Sequence, residues 1–226
     1  MPSQTTKSLK SLIMLLIPIL IFGGVVRVLA TDTYLAFEYG RVSFPADSFG
    51  LTDRQRFILA STDLHYVRAH LPGDELSKQS LNGVTVYNPR EVSHMADVKA
   101  VFQSALQVWW VAFIMFSLSG FVPWRNGNRV AFASAIQSGG LLTSGIILTI
   151  GLLAVFAWQY WFNSFHLLFF KPGSWLFSYS DTLIRLFPMK FWFDATLTIS
   201  LLSLVGGLVL VLIGRQWRIV IEKPRV

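Results

Sequence analysis

The stretch "ATLTISLLSLVGGLVLVLI" (residues 195–213) contains no charged residue. It is long enough to cross the hydrocarbon core of a bilayer, which takes about 20 mainly apolar residues. Three further apolar stretches lie at about residues 11–30, 101–122 and 130–158. The whole chain has the same character, because 53% of its 226 residues are hydrophobic and its mean hydropathy is +0.53. We therefore expect an all-α integral membrane protein with four transmembrane helices.

The first apolar stretch has a second interpretation. It follows a basic start and ends in small residues, as a cleaved signal peptide does. However, Arg27 stands just before the expected cleavage point, where a signal peptide is normally uncharged. This charge favours a retained transmembrane helix.

The net charge of +7 indicates the orientation of the four helices. With four spans, residues 1–10, 123–129 and 214–226 lie on one side of the membrane, where they hold eight basic residues and one acidic residue. Basic and acidic residues cancel in the rest of the chain. The positive-inside rule therefore places both termini in the cytoplasm. The charge reports topology, and we expect no binding to nucleic acid.

Two segments then face outward, at about residues 31–100 and 159–194. In the first segment, the sequence predicts a helix over Leu51–His70, which Pro72 and Gly73 end. It also predicts the start of a second helix, with Asn88 as the cap and Pro89 as the first residue. The second segment is amphipathic and rich in Trp and Tyr, which suits the membrane interface. We expect helical extracytoplasmic segments that cap the bundle, within one membrane domain of residues 1–226.

Several chemistries are excluded by the sequence. The chain has no cysteine, which removes disulfides, thiolate nucleophiles and cysteine–zinc sites, and it has no Gly-x-Ser-x-Gly or HExxH motif. Spans without a central Asp, Glu or Lys argue against an ion-coupled transporter. His65 and His70 are five residues apart and point to different sides of a helix, so they cannot chelate one metal from it. We expect neither a metal nor a cofactor.

Two histidines remain as candidates for chemistry. His94 stands one helical turn from Glu91 and from Asp97, and His166 is surrounded in sequence by Phe, Leu and Trp residues. Each could be a hydrogen-bonded structural residue, yet an ionisable group at membrane depth is first a functional candidate. Histidine titrates near 6.5, close to the roughly 7.7–8.0 of an α-amine, so the pair suits proton transfer on a lipid-borne amine or ester.

Charged residues near the two histidines have alternative roles. Glu91 or Asp97 could orient His94, or either could pair with Arg90 or Lys99. Asp181 is first a helix cap. Arg185 could bind a phospholipid or substrate headgroup, although anchoring of the topology explains it equally well.

Two blocks of sequence resemble a known family. "NPREVSHMADVKAVF" (88–102) and "FHLLFFKPGSWLFSYSDTLIRLFPMKFW" (165–192), with four spans and inside termini, look like the lipoprotein intramolecular transacylase family, Lit, of Gram-positive bacteria. The resemblance covers nearly the full chain, while residues 31–85 match mainly by length and a "DRQR" helix. His94 and His166 fall where that family has its essential histidines.

The resemblance implies an acyltransferase reaction at the outer face of the bacterial cell membrane. The substrate would be a lipoprotein whose N-terminal cysteine carries a diacylglyceryl group, held among membrane phospholipids. Its sn-2 acyl chain would move to the α-amine of that cysteine and leave an N-acyl, S-monoacylglyceryl (lyso) lipoprotein. One histidine, His166 by hypothesis, would take the amine proton. His94 would stabilise the oxyanion and help to protonate the departing oxygen, and the two roles could be exchanged.

Three other functions stay open on the residues alone. The two histidines could be axial ligands of a haem in a non-enzymatic protein. Alternatively, both could be structural in a lipid-binding or assembly subunit. A third alternative is an acyltransferase or hydrolase that acts between separate lipid molecules.

Overall fold

The computed structural model of the protein describes residues 4–69, 75–125 and 128–223. His70 and the Pro72–Gly73 helix stop lie outside the described residues. The elements are the helices α1 (Gln4–Leu29), α2 (Asp32–Tyr39), α3 (Asp53–Arg68), α4 (Pro89–Arg125), α5 (Arg129–Phe156), α6 (Trp158–Phe169), α7 (Thr182–Leu186) and α8 (Met189–Glu222), and the strands β1 (Ser80–Leu81) and β2 (Val84–Thr85).

Four helices in the described ranges are long and apolar enough to cross a membrane. They are Gln4–Leu29, Pro89–Phe121, Arg129–Phe156 and Met189–Glu222. The prediction of four such helices is confirmed, although three of them extend well beyond the predicted apolar stretches. The third ends at Phe156, two residues before the predicted boundary.

The chain forms two compact units, and the first consists of Met1–Val26, Leu106–Leu153 and Leu197–Val226. Its helices approach closely where glycines face each other. A Cβ atom on Gly140 would lie 2.5 Å from the carbonyl oxygen of Gly207, so a larger residue in α5 would push α8 away. The indole of Trp109 also donates a hydrogen bond of 3.0 Å to the carbonyl of Leu20 and joins α4 to α1.

The second unit consists of Arg27–Ala105 and Ala154–Thr196. Its apolar core is built by residues from several helices and loops, among them the buried side chains of Leu35, Ala60, Tyr66, Leu76 and Leu186. This unit contains both segments that the sequence predicts to be extracytoplasmic. It therefore holds every candidate site residue named above.

Within the second unit, the short helix α7 is held by polar contacts. The buried guanidinium of Arg56 donates two hydrogen bonds to the carbonyl of Arg185, at 3.0 and 2.7 Å, and a third to Pro45. The phenol of Tyr39 donates to the carbonyl of Leu186 at 2.7 Å. These bonds satisfy carbonyl groups that a helix of one turn cannot satisfy by itself.

Side chains cap the starts of α3 and α4. Thr52 caps α3 in a reciprocal capping box with Gln55. The Asn88 side chain accepts hydrogen bonds from the backbone of Arg90 and Glu91 at the start of α4, and Pro89 is the first helical residue, as predicted. From there α4 runs without a break into its apolar part.

Two small elements were not predicted. Helix α2 occupies the start of the first outer segment, and the β1–β2 hairpin precedes α4. The hairpin turns at Asn82 and Gly83, which both have positive φ, as the type I′ turn requires. The Asn-Gly pair was a readable signal for this hairpin.

A buried acid lies in the core of the second unit. Asp63 of α3 is almost completely buried, and its carboxyl accepts a 2.7 Å hydrogen bond from the phenol of Tyr87, while its second oxygen has no partner among the described residues. Burial raises the pKa of Asp63 to about 8, and the negative charge of Glu91 adds to this effect. The carboxyl is therefore protonated at and below neutral pH.

This acid makes the stability of the protein depend on pH. The folded pKa of Asp63 is above its unfolded value, so its contribution is fully present below about pH 3.9 and is lost as pH rises through about 8. We expect the melting temperature of the detergent-solubilised protein to fall between pH 6 and pH 9. Asp63→Asn, which keeps an oxygen for Tyr87 and cannot ionise, should flatten that decline. An unchanged pH profile in this variant would contradict the assignment.

Candidate active site

His94 lies in the second turn of α4, in an apolar environment. The residue is 9% exposed, and its Nδ1 atom has no hydrogen-bond partner among the described residues. Its ring packs against Phe170, with 5.0 Å between centroids, and against Phe177, at 5.5 Å. The imidazole is therefore kept from water by aromatic rings while one of its nitrogens stays unpaired.

His166 lies in the last turn of α6 among aromatic rings. Its Nδ1 is 2.7 Å from the carbonyl oxygen of Phe162, one turn earlier. Because a carbonyl oxygen only accepts, Nδ1 carries the hydrogen and Nε2 carries the lone pair when the ring is neutral. The rings of Phe162, Phe170 and Trp175 contact the imidazole at 4.1, 5.6 and 5.4 Å between centroids. Burial among them lowers the pKa of His166, so the ring is a neutral base near pH 7.

The two histidines meet at the ring of Phe170. This one ring contacts both imidazoles, so the two centroids are separated by no more than the sum of its two contact distances. Both residues belong to the second unit, and a positive charge on His166 would act electrostatically on His94. Two positive charges in this apolar place would repel each other. A proton on one of the two rings therefore disfavours a second proton on the other.

The two acids beside His94 have different surroundings. Glu91 is 1% exposed, and both of its oxygens accept backbone N–H groups: that of Asn88 at 2.8 Å and that of Leu183 at 2.7 Å. Asp97 is half-buried and acts on His94 electrostatically. The structure thus gives Glu91 a role in joining the starts of α4 and α7.

Arg90 and Asp181 hold the loop that carries the aromatic residues. Arg90 donates a hydrogen bond of 2.8 Å to the carbonyl of Leu176, and its guanidinium lies over the ring of Phe177. Asp181 is the N-cap residue of α7, but its carboxylate accepts from the backbone of Ser178 and from the side chain of Asn88 instead of from α7 itself. Both residues therefore position the loop of residues 170–181, the aromatic loop, which covers His94.

Arg185 is engaged in an ion pair. Its guanidinium donates two hydrogen bonds, of 2.9 and 3.0 Å, to the carboxylate of Asp47, which is almost fully buried. This bidentate contact lowers the pKa of Asp47 to about 2. Arg185 also lines an open polar cleft of about 290 Å³, together with Thr85, Val86, Tyr87, Asn88, Glu91, Ser180, Asp181 and Thr182.

Other histidines and acids do not form a metal site in the part of the chain that the structure describes. No group of three His, Asp or Glu side chains there is placed to hold a metal ion. His65 is exposed and pairs with Asp32 at 2.9 Å.

Sequence reasoning did not single out three aromatic residues of this site. Phe170, Trp175 and Phe177 contact the histidines through a loop that Gly173 turns, with a φ of +82°. The density of aromatic residues around His166 was visible in the sequence. Which of them face the imidazoles depends on how the loop folds, and no short spacing reveals it.

A family model matches most of the chain. The model, described as "Lipoprotein intramolecular transacylase Lit", matches residues 11–192, which include both histidines. A curated protein of Aquifex aeolicus, described as an uncharacterized protein, is 34% identical over 210 residues, which are 92% of this chain and 94% of that protein.

Solved structures share the fold. The membrane integral lipoprotein intramolecular transacylase Lit from Bacillus cereus has a TM-score of 0.77 at 18% identity, over 94% of this chain and 95% of that one. Two variants of the same protein, with a histidine replaced by arginine or by alanine, have TM-scores of 0.67 and 0.65, at 17% and 18% identity. Each match covers 94% of this chain, and the matched residues make up 91% and 93% of the two variant chains.

The ion pair of Arg185 generates a stability prediction. Arg185→Ala leaves the Asp47 carboxylate buried with only backbone partners, so we expect a loss of about 3 kcal/mol in the free energy of unfolding. Arg54→Ala is the matched control, because Arg54 is exposed, and it should change stability by less than about 0.5 kcal/mol. Denaturant titration of both variants measures the difference. Wild-type stability with lost activity in Arg185→Ala would instead make Arg185 a substrate ligand.

Proposed function

The chain belongs to the lipoprotein intramolecular transacylase family, and we propose that it moves an acyl chain within a diacylglyceryl lipoprotein. The sn-2 chain goes to the α-amine of the N-terminal cysteine, and the product is an N-acyl, S-monoacylglyceryl lipoprotein. One observation carries this proposal: two imidazoles from distant parts of the chain contact the same half-buried ring, Phe170. A pair of bases in a dry aromatic site suits proton transfer on an amine and an ester.

The reaction needs no nucleophile from the protein. The attacking amine and the ester belong to the same substrate molecule, so binding it in a folded pose supplies the proximity that catalysis requires, potentially several kcal/mol. This agrees with a chain that has no cysteine and no serine elbow motif. The protein's contribution is then to fold the headgroup, exclude water and move a proton.

His166 is the proposed base. The free lone pair of Nε2 accepts a proton from the amine nitrogen as that nitrogen bonds to the carbonyl carbon, and the carbonyl π electrons move onto its oxygen. When the tetrahedral intermediate collapses, the bond from carbon to the sn-2 oxygen breaks. The proton on His166 first passes to His94, and the departing oxygen then takes a proton from the His94 ring, so that both rings end neutral.

Electrostatics supports this single proton path. A positive charge on His166 disfavours a second positive charge on His94, so the two rings are not protonated at the same time. The transacylation itself consumes and releases no net proton.

The acyl chains of the substrate are proposed to contact α6. This helix has no fully buried residue, and Phe165, Leu167, Leu168 and Phe169 are exposed although they are apolar. Such a face is typical of a helix that lies in a membrane interface. It gives the acyl chains an apolar surface next to His166, while the aromatic loop limits hydrolysis by water.

Histidine variants test the proposal. In a host that makes diacyl lipoproteins, the wild-type protein should convert the N-terminal lipopeptide to the lyso form, which tandem mass spectrometry detects. His166→Ala and His94→Ala should each slow this conversion by about 10²–10⁴-fold, because each removes a proton-transfer group. His65→Ala is the matched control, since His65 is exposed and paired with Asp32 outside the site.

Four outcomes would overturn the proposal. Full conversion in His166→Ala would remove the proposed base. Exchange of isotope-labelled acyl chains between two lipoproteins would show an intermolecular acyltransferase. A bis-histidine haem protein would reveal itself by a Soret band, and a lipid-binding subunit by lack of any conversion in the wild type.

We also propose that the active site faces outward and that both termini lie in the cytoplasm of a bacterial cell. Since the chain has no native cysteine, single cysteines report topology without background. Ser80→Cys and Lys223→Cys are both exposed positions. On intact cells, a membrane-impermeant maleimide should label the first variant, and it should label the second only after permeabilisation. The reverse pattern would contradict the orientation given by the basic loops.

A further inference from the structure

We propose that the indole N–H of Trp175 donates a hydrogen bond to the carbonyl oxygen of the reacting ester. It would stabilise the negative charge that develops on that oxygen, which makes Trp175 a catalytic residue. This inference rests on the acyl transfer proposed above and deepens it, because it names the group that recognises the ester.

The first observation is an unpaired donor. Trp175 is 8% exposed, and its Nε1 atom is buried without a hydrogen-bond partner among the described residues. An indole N–H can only donate, and a buried donor without an acceptor is costly and uncommon in folded proteins. A side chain that served packing alone could be a phenylalanine. The N–H of Trp175 is therefore available to an acceptor that arrives with the substrate.

The second observation is the position of this donor. The Trp175 ring contacts the His166 ring at 5.4 Å between centroids, and the same His166 ring contacts Phe170, which touches His94. The indole ring that carries this donor thus lies beside the proposed base. A group held next to the base is close to the carbonyl carbon that the deprotonated amine attacks.

The backbone fixes this position. After α6 ends, the carbonyl of Lys171 accepts a hydrogen bond from Ser174 and closes a turn, in which Gly173 adopts a φ of +82°. The turn reverses the chain and places Trp175 directly after it, on His166. The indole is consequently held before substrate binds, as electrostatic stabilisation of a transition state requires.

The proposed step balances in atoms and electrons. The amine lone pair forms the carbon–nitrogen bond, the π pair of the carbonyl moves to its oxygen, and His166 takes the nitrogen proton. The Trp175 N–H remains a hydrogen-bond donor throughout and transfers no proton. When the carbonyl re-forms, the electron pair of the breaking ester bond leaves with the sn-2 oxygen.

A second tryptophan provides a matched control. Trp158 also has a buried, unpaired Nε1 atom, but its ring packs on Phe162 and Phe193 and has no described contact with a histidine ring. Trp158→Phe and Trp175→Phe make the same chemical change, removing an N–H while keeping an aromatic ring. Only the second removes a donor beside the proposed base.

The experiment compares these two variants in vitro with a synthetic diacylglyceryl-cysteine lipopeptide in detergent. Removal of one donor to a developing oxyanion typically lowers kcat by about 10²–10³-fold, and we expect this for Trp175→Phe with little change in KM. Trp158→Phe should retain nearly the wild-type kcat. Conversion by the wild-type protein in the same assay tests the proposed function separately.

Near wild-type kcat in Trp175→Phe would overturn the inference, and so would equal losses in both variants, which would point to packing. A measurement on the wild-type protein keeps the test valid if Trp175→Phe does not fold. With tryptophan labelled by ¹⁵N and a lipopeptide whose amine is acetylated, the indole proton of Trp175 should shift downfield as it gains an acceptor. Single-tryptophan replacements identify its signal, and an unchanged signal at saturating lipopeptide would also overturn the inference.

Discussion

The Glu91 carboxylate is the constraint on which the site depends. Its two oxygens accept hydrogen bonds from the backbone of Asn88 and of Leu183, and so join the first turns of α4 and α7. Buried charge-assisted bonds of this kind are stronger than neutral ones. Asn88 repeats the connection by its bond to Asp181. His94 follows one turn after Glu91. The contact between Glu91 and Leu183, which lies at the end of the aromatic loop, therefore also fixes the position of the His94 imidazole.

Some buried polar groups of the second unit have hydrogen-bond partners and others do not. Those with well-formed partners, such as Glu91, Asp181 and the Asp47–Arg185 pair, join segments of chain that are far apart in sequence. The nitrogen atoms that are buried without a partner include those of His94 and Trp175, which surround the same group of aromatic rings. The unpaired nitrogens of His94 and Trp175 are therefore available for hydrogen bonds to a bound substrate.

The four long helices could be predicted from the sequence because a bilayer demands long apolar runs, which few other structures contain. The start of α4 was equally readable from Asn88 and Pro89. Helical spacing placed Glu91 and His94 on one face, but it did not reveal that the carboxylate binds Leu183. That contact, like the one between Asp47 and Arg185, depends on tertiary folding and has no local signal. His94 and His166 were suggested because few other residues of the chain could carry chemistry, and because of the family resemblance. Trp175 became recognisable only once the structure showed its contact with His166.

The bond between His166 and the Phe162 carbonyl has a consequence for the kind of base that this ring can be. In serine hydrolases, the imidazole is oriented by a carboxylate, which also neutralises the imidazolium and lets it persist. A main-chain carbonyl sets the tautomer equally well and offers only a dipole. A protonated His166 ring would therefore lack the neutralising negative charge that a carboxylate provides. In the proposed rearrangement, the His166 ring holds the amine proton only until it passes towards the departing oxygen, so a weakly stabilised imidazolium suits this reaction. Activation of an outside water molecule would need an imidazolium that persists longer.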